Sequence, residues 1–153
     1  MSGQPDKKGQ EISKGLKFLF VCYANICRSP MAEGIAKTFH DDIRISAESA
    51  GIAAMDNGAA PQAVEVMKTL YNVDIVEHKS RNISDVKLDQ FDFIVALDSM
   101  VYHYLRALKV IPDDKLFEWD IHDPVGQPLY VFRKVAKKIH KRIEQFLINR
   151  ELH

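Results

Sequence analysis

The sequence predicts an α/β fold, a three-layer sandwich in which a central parallel sheet of about four strands carries helices on both faces. Two features of the sequence support this prediction. Short, continuous apolar runs recur along the chain, which is typical of strands buried on both faces of a sheet. Stretches with the apolar spacing of amphipathic helices lie between those runs, and strands that alternate with helices pair in parallel.

The first third of the chain predicts a strand, a helix and a second strand. The apolar run LKFLFV at residues 16–21 is the first strand. A helix follows from Ser29 to Phe39: its first residue is of a type that caps helices, Pro30 suits the first turn, and Glu33 lies in the electropositive first turn. Apolar and polar residues then alternate at residues 43–47, which predicts the second strand.

The rest of the chain continues the alternation. Small residues and glycine dominate residues 49–61, which we interpret as a loop. In a helix predicted at residues 61–71, Val64, Met67 and Leu70 are spaced for one buried face. The further predicted elements are a strand at 91–97, a helix at 100–108, a short strand at 115–117, a loop with two prolines and a glycine at 121–129, and a final helix at 130–147. The apolar stripe of that final helix, with Lys and Arg on the opposite face, comprises Phe132, Val135, Ala136, Ile139, Ile143, Phe146 and Leu147.

Composition narrows the class of protein. The chain has 153 residues, 46% hydrophobic and 27% charged, and we predict a flexible tail at residues 1–15 followed by a single domain at residues 16–153. Lys+Arg and Asp+Glu number 21 each, and no apolar run approaches the about 20 residues that span a bilayer, so neither nucleic acid nor membrane is expected as a partner. Because the first fifteen residues contain no signal-peptide core, we expect a cytoplasmic protein with reduced thiols.

Both cysteines of the chain lie in CYANICR, the segment from Cys22 to Arg28 that links the first strand to the first helix. Ligands bind beyond the carboxyl ends of parallel strands, and a loop that turns into a helix N-terminus can form a nest of N–H groups for an anion. Such a nest favours a thiolate, so we expect Cys22 to be a nucleophile at neutral pH. The planar guanidinium of Arg28 can hold two oxygens of an oxyanion, and phosphate monoesters are the natural substrate.

The loop has three other possible interpretations. A cysteine at a strand end is often a small buried apolar residue, although the C-x5-R-S pattern argues against that here. A C-x4-C pair is half of a zinc site, but the sequence has no second pair of ligands, so no metal is expected. The GxxxxGK[ST] pattern of Walker-type phosphate loops does not occur.

The stretch VCYANICRSPMAEG resembles the active-site loop of low-molecular-weight protein tyrosine phosphatases, C-x-G-N-x-C-R-S-P. The resemblance continues through ESAG at residues 48–51, EHKSR at 77–81, FDFIVALD at 91–98 and HDP at 122–124, and so covers nearly the whole chain after the tail. The matching residues of the loop are Cys22, Asn25, Cys27, Arg28, Ser29 and Pro30.

The resemblance implies roles for the catalytic residues. Cys22 would form a phosphocysteine intermediate and Arg28 would hold the phosphoryl oxygens. Asp123, in the Asp-Pro loop, would be the general acid for the leaving oxygen and then the general base for water. No cofactor is implied. The implied partner is a phosphotyrosine protein or a small phosphate ester, and the protein would be a monomer or a weak dimer.

The resemblance also implies supporting residues. Asn25, a residue type that tolerates a left-handed backbone, would hold the loop with the help of Ser49 and His78. Ser29 would donate a hydrogen bond toward the thiolate, and Asp98 would have a structural role near the site. The expected substrate-binding residues are Tyr23, Ala24, Asn25, Ile26, Cys27, Ser29 and Met55.

Cys27 has two possible roles at this point. The resemblance implies a reversible disulfide with Cys22 that protects the thiolate from irreversible oxidation. The alternative is a thiol that is simply packed in the core.

The sequence departs from the family at the walls of the pocket. Ala24 replaces a glycine, Met55 stands where many members have an aromatic residue, and Val125 and Gly126 follow the Asp-Pro pair where tyrosines are frequent. Tyr23 could supply an aromatic wall instead. The phosphoryl chemistry is therefore better supported than a preference for tyrosine.

Three functions remain open. The leading one is a phosphomonoester hydrolase, a protein tyrosine phosphatase that works through phosphocysteine. The thioredoxin-coupled arsenate reductases share this fold, but their relay uses two further cysteines that this chain lacks, so an oxyanion reductase would have to borrow Cys27 or an external thiol. The third is a catalytically idle phosphate-binding module.

Overall fold

The computed structural model describes residues 15–39, 44–55 and 57–151. Four parallel strands form one sheet in the order β2-β1-β3-β4. The strands are β1 (Leu16–Cys22), β2 (Ile45–Gly51), β3 (Phe93–Ala96) and β4 (Leu116–Glu118), and the helices are α1 (Arg28–Ala36), α2 (Pro61–Tyr71), α3 (Ser99–Ala107) and α4 (Leu129–Glu151).

The sheet separates two apolar clusters, which confirms the predicted three-layer α/β sandwich. Alternate residues of β1 point to opposite faces: Phe18 and Phe20 belong to one cluster, and Leu19 and Val21 to the other. The first cluster packs against α1, α2 and α4, and the second packs against α3. Because β1 and β3 are central in the sheet and buried on both faces, their sequences are continuous apolar runs.

Several predicted boundaries match the structure closely. Helix α2 has the predicted bounds, Pro61–Tyr71. Its buried residues are Ala63, Val66 and Met67, whereas Leu70, predicted on the buried face, is exposed. The predicted stripe of α4 faces the first cluster as expected, with its first five members buried and Phe146 and Leu147 packed partly buried against them.

The start of α1 differs from the prediction. The helix begins at Arg28 with Cys27 at its N-cap, and no side chain caps it. Ser29 therefore lies inside the helix, and Glu33 lies beyond the first turn. The prediction of Ser29 as a helix cap was wrong because its hydroxyl group is engaged in contacts with other parts of the fold, which the sequence pattern does not show.

The second strand also differs. Strand β2 runs on to Gly51, so residues 49–51 are strand where a loop was predicted, and the predicted start at Ile43 lies outside the described residues. Small residues are poor predictors of strand, but here they pair along the whole of β1, from Leu16 opposite Ile45 to Cys22 opposite Gly51. This pairing brings the end of β2 beside the end of β1.

In the parts of the chain that the structure describes, no helix has the length and apolar character needed to cross a membrane. Of the predicted N-terminal tail, residues 1–14 lie outside the described residues.

Candidate active site

Residues 23–27 form a loop between the carboxyl end of β1 and the start of α1. The carbonyl oxygens of Tyr23 and Ile26 accept hydrogen bonds from the amides of Ala53 and Ala60, both at 2.8 Å. Within the described ranges, no N–H group of residues 23–27 donates to another protein group. A loop whose carbonyl groups bond outward and whose N–H groups stay available has the donor set of an anion cradle.

Asn25 fixes the shape of this loop. Its backbone is left-handed, with φ of +60°, as predicted, and its side chain is fully buried. Its side-chain nitrogen donates to the hydroxyl oxygens of Ser29 at 2.7 Å and Ser49 at 3.0 Å, and its side-chain oxygen accepts from the amide of Arg81 at 2.9 Å. These three hydrogen bonds hold a backbone conformation that costs energy for any residue other than glycine.

Residues 78–81 support the loop through hydrogen bonds to Asn25. The carbonyl oxygen of Asn25 accepts from the hydroxyl of Ser80 at 2.8 Å and lies 3.0 Å from His78 Nε2, which must be the protonated ring nitrogen because a carbonyl only accepts. Arg81 donates to Glu48 at 2.7 Å, and this bond holds the pKa of Glu48 below its ordinary value. The motif EHKSR drew attention to this segment, but only His78 was singled out from it; Ser80 and Arg81 were missed.

Gly51 allows β2 to approach the loop closely. A Cβ atom at Gly51 would lie 2.7 Å from the carbonyl oxygen of Tyr23 and 3.0 Å from the amide nitrogen of Asn25. Both atoms belong to the backbone, so any side chain at this position would displace the loop. Glycine at the end of the ESAG motif is therefore required by the closeness of the loop backbone, which the sequence alone does not show.

The sulfur of Cys22 lies at the base of the loop, 2.9 Å from the hydroxyl oxygen of Ser29. That hydroxyl already accepts from Asn25, and its own hydrogen can point to the sulfur or to the carbonyl oxygen of Ala50 at 3.4 Å. A thiolate has only lone pairs to offer, so Ser29 is the donor whenever Cys22 is ionised. The structure thus places Ser29 where the predicted hydrogen bond to Cys22 requires it.

Arg28 opens α1, and its side chain is almost completely buried. Its Nη1 donates to Asp98 at 2.8 Å and to the carbonyl oxygen of Ile121 at 3.0 Å. These two bonds use both hydrogens of Nη1, which leaves the Nε and Nη2 hydrogens for the oxygens of an anion. Asp98 also caps α3 by accepting from the amide of Val101 at 2.8 Å, so it ties the guanidinium to a rigid helix.

Asp123 lies on the loop between β4 and α4, with a carboxylate oxygen 3.7 Å from Arg28 Nη2. Its other oxygen accepts from the amide of Val125 at 3.1 Å, and its side chain is 46% exposed. His122 Nε2 and the amide oxygen of Gln127 lie 2.6 Å apart and brace the loop on the far side. The carboxylate is therefore held in place yet open to solvent, as an acid–base group that exchanges protons with water must be.

One cavity of about 150 Å³ brings most of the predicted residues together. Of the residues predicted to bind substrate, Asn25, Ser29 and Met55 do not line this cavity, and the side chain of Met55 is 72% exposed. Ala24 does line the cavity, and its backbone is not among the described positive-φ positions, so it narrows the pocket without strain. The lining residues are Cys22, Tyr23, Ala24, Ile26, Cys27, Arg28, Asp123 and Val125.

Cys27 is a buried thiol of a different character. Burial, aided by the nearby charges of Asp123 and Cys22 and opposed by that of Arg28, raises the pKa of the Cys27 thiol from 9.0 to about 12. Cys27 is therefore a neutral thiol near neutral pH, and its sulfur is a weak nucleophile there. Both cysteines are unpaired in this structure.

Among residues 15–39, 44–55 and 57–151, no group of three or more His, Cys, Asp or Glu side chains lies together in a way that could hold a metal ion.

Comparison with known proteins identifies the family of this chain. A family model described as low molecular weight phosphotyrosine protein phosphatase matches residues 17–153. The chain belongs to this family. A low molecular weight protein tyrosine phosphatase from T. tengcongensis has 33% sequence identity and a TM-score of 0.79, with 88% of this chain and 99% of that chain covered.

The chain is also similar to proteins that are named arsenate reductases. Arsenate reductase 2 of Staphylococcus haemolyticus is 37% identical over 127 residues, which is 83% of this chain and 92% of that protein. Glutaredoxin arsenate reductase of Synechocystis sp. is 32% identical over 135 residues, which is 86% of this chain and 95% of that protein. The chain is thus a member of an enzyme family in which both phosphatases and arsenate reductases occur.

Proposed function

We propose that this protein is a phosphomonoesterase that hydrolyses phosphotyrosine in proteins through a phosphocysteine intermediate. The observation that carries the proposal is that Cys22, Arg28 and Asp123 line one cavity under a loop with available N–H groups. A nucleophile, an oxyanion clamp and an exposed carboxyl group are the three parts that a two-step displacement at phosphorus needs.

In the first step the Cys22 thiolate attacks phosphorus and a P–S bond forms. The P–O bond to the leaving group breaks, and its electron pair stays on the leaving oxygen, which takes a proton from Asp123. In the second step Asp123 removes a proton from water, the water oxygen attacks phosphorus, and the P–S bond breaks. The returning thiolate is stabilised by the hydroxyl of Ser29, 2.9 Å away, while the guanidinium of Arg28 neutralises the equatorial oxygens in both steps.

Arsenate reduction is the second candidate, because relatives at 32–37% identity carry that name. A reductase must pass electrons from a thiol to the arsenic bound at Cys22. Cys27 is the other cysteine of the chain, and a thiol with a pKa of about 12 is a poor attacking group at neutral pH. An external thiol would therefore have to supply the electrons, and this requirement makes hydrolysis the better-supported activity.

A substrate profile tests the proposal. Phosphotyrosine and phosphoserine peptides and small alkyl phosphates are assayed for phosphate release, with arsenate-dependent oxidation of glutaredoxin and thioredoxin measured in parallel. We expect turnover of phosphotyrosine above the other esters and no arsenate-dependent thiol oxidation. Thiol oxidation without phosphate release would favour the reductase, and tight phosphopeptide binding with no turnover of any kind would favour the idle binding module.

The role of Asp123 is tested by its dependence on the leaving group. For Asp123→Asn we expect kcat/KM to fall about 100-fold for phenyl phosphate but less than about fivefold for p-nitrophenyl phosphate, whose leaving group needs no proton. The ratio kcat/KM is the right quantity because it reports the first step, before water attacks. Asp120→Asn, an exposed carboxylate three residues upstream, is the matched control. Equal losses with both substrates would remove Asp123 as the acid.

A further inference from the structure

The last helix carries a basic face that the cavity does not use. Of the ten residues from 133 to 142, six are Lys or Arg and none is Asp or Glu. Helix α4 as a whole holds seven basic and two acidic residues, although the formal net charge of the chain is zero. The basic face consists of Arg133, Lys134, Lys137, Lys138, Lys141 and Arg142.

The charges on this face repel one another. Arg133, Lys137 and Lys141 follow each other at intervals of four residues, as do Lys134, Lys138 and Arg142, and side chains four apart are neighbours on a helix surface. Like-charged neighbours at this spacing destabilise a helix. Within residues 15–39, 44–55 and 57–151, the ion pairs involve none of the six. An acidic partner would relieve this repulsion.

The basic face follows closely in sequence on the loop that carries Asp123, which lines the cavity. Helix α4 starts at Leu129, six residues after Asp123, and the first basic residue follows one turn later. At 1.5 Å per residue, residues 133–142 extend about 14 Å along the helix axis. An extended peptide covers that distance in about four residues, so a short segment beside a bound phosphotyrosine has the length to lie along the face.

The chemistry of the face argues against two other anionic partners. Helices that lie on lipid bury an apolar face in the bilayer, but the apolar stripe of α4 is packed in the protein core, with Phe132 and Ile139 at most 1% exposed. Proteins that bind single-stranded nucleic acid interleave aromatic side chains with basic ones, and residues 133–142 contain no Phe, Tyr or Trp.

We propose that the basic face of α4 docks an acidic segment that flanks the phosphorylated residue of a protein substrate. This inference rests on the proposed phosphatase function, because the face is assigned to the same substrate that fills the cavity. Electrostatic attraction of this kind raises the rate of association and selects among substrates, while the chemistry at the cavity stays unchanged.

The test compares two triple variants with equal loss of charge. Lys134→Gln, Lys138→Gln and Lys141→Gln together weaken the basic face at three exposed positions, and Lys and Gln have similar helix propensities. Lys87→Gln, Arg106→Gln and Lys109→Gln together are the control, also at exposed positions but on the side of the sheet where the second cluster lies, opposite α4. The substrates are p-nitrophenyl phosphate and two phosphotyrosine peptides that differ only in carrying four Glu or four Gln beside the phosphotyrosine.

For the unmodified protein we expect kcat/KM to be about tenfold higher for the Glu peptide than for the Gln peptide at low salt, and this preference to shrink as salt is raised. The α4 variant should lose most of the preference and keep its p-nitrophenyl phosphate activity, while the control variant keeps both. Equal kcat/KM for the two peptides, or an equal loss in both variants, would overturn the proposal.

Two further measurements separate the proposals. Fluorescence anisotropy with an unphosphorylated tetraglutamate peptide reports docking without catalysis: if no aryl phosphate is hydrolysed, the proposed function fails, while salt-sensitive binding that the α4 variant loses still supports the face. Sedimentation with phosphatidylserine vesicles covers the lipid alternative. Vesicle binding that the α4 variant loses, together with equal hydrolysis of both peptides, would assign the face to a membrane surface instead.

Discussion

Replacing Cys22 by serine is expected to lower kcat for p-nitrophenyl phosphate by at least about 10⁴-fold, because a serine hydroxyl is not ionised at neutral pH and no phosphoryl–enzyme intermediate forms at a useful rate. The fold should survive, since the new hydroxyl can exchange a hydrogen bond with Ser29, now 2.9 Å from the sulfur. Steady-state hydrolysis measures the first effect, and thermal unfolding measures the second. Inorganic phosphate should still bind, since the loop amides and Arg28 are unchanged.

The matched control is Cys27→Ser, the same substitution five residues away. Cys27 carries a thiol whose pKa is raised to about 12, so it contributes no nucleophile at neutral pH, and its replacement should cost far less activity than the replacement of Cys22. Full activity of Cys22→Ser would overturn the phosphocysteine mechanism. Comparable losses in the two variants would mean that the pair acts together, as an oxyanion reductase with two thiols would require.

The parts of this site that could be predicted from the sequence are those whose cause is local. The thiol, the arginine and the loop between them lie within seven consecutive residues, and the left-handed Asn25 follows from the preference of its side chain. A buried strand before the loop and a helix after it follow from apolar spacing alone. The central strands of a parallel sheet are the easiest to predict, since both faces are apolar.

What could not be predicted depends on contacts between distant segments. Ser29 has the residue type of a helix cap, but its hydroxyl lies between Cys22 and Asn25, and only the folded chain distinguishes the two roles. Arg81 donates to Asn25 from 56 positions along the chain, which no local pattern reveals. The small residues at the end of β2 are of types that usually indicate a loop. Glycine is needed at position 51 because a Cβ atom there would lie 2.7 Å from the carbonyl oxygen of Tyr23, and the sequence does not show this contact.

The raised pKa of Cys27 is a further property of the fold that sequence reasoning could not supply. Its first cause is burial, and burial is decided by how α1 packs on the sheet. The sequence left a protective disulfide and a packed thiol as alternatives for this residue. A thiol that ionises only near pH 12 attacks slowly at neutral pH, so disulfide formation would have to begin with oxidation at Cys22 and proceed slowly afterwards.

Replacing Arg28 by lysine is expected to lower kcat/KM by about 10³-fold, which corresponds to about 4 kcal/mol of transition-state stabilisation. The guanidinium holds Asp98 and the carbonyl oxygen of Ile121 through one nitrogen and keeps its remaining donors for the phosphoryl oxygens. An ammonium group has one nitrogen for all of these tasks, so it can keep the contact with Asp98 or turn to the anion, but cannot do both. Steady-state kinetics with p-nitrophenyl phosphate gives the loss, and competitive inhibition by phosphate shows how much of it is ground-state binding.

The variant Asp98→Asn separates the loss of activity in Arg28→Lys that comes from a disturbed structure from the loss that comes from missing contacts with the phosphoryl group. In Asp98 one carboxylate oxygen accepts from Arg28 and the other accepts from the amide of Val101, both at 2.8 Å. Asparagine keeps one of these acceptors, places an NH2 group at the other and removes the charge that holds the guanidinium. If Arg28 acts on the phosphoryl group directly, Asp98→Asn should lose much less activity than Arg28→Lys, even where the two lose similar stability in thermal unfolding. If activity instead followed stability through both variants, Arg28 would be a structural residue that supports the loop, and the charge that develops on phosphorus would have to be met by the loop amides alone.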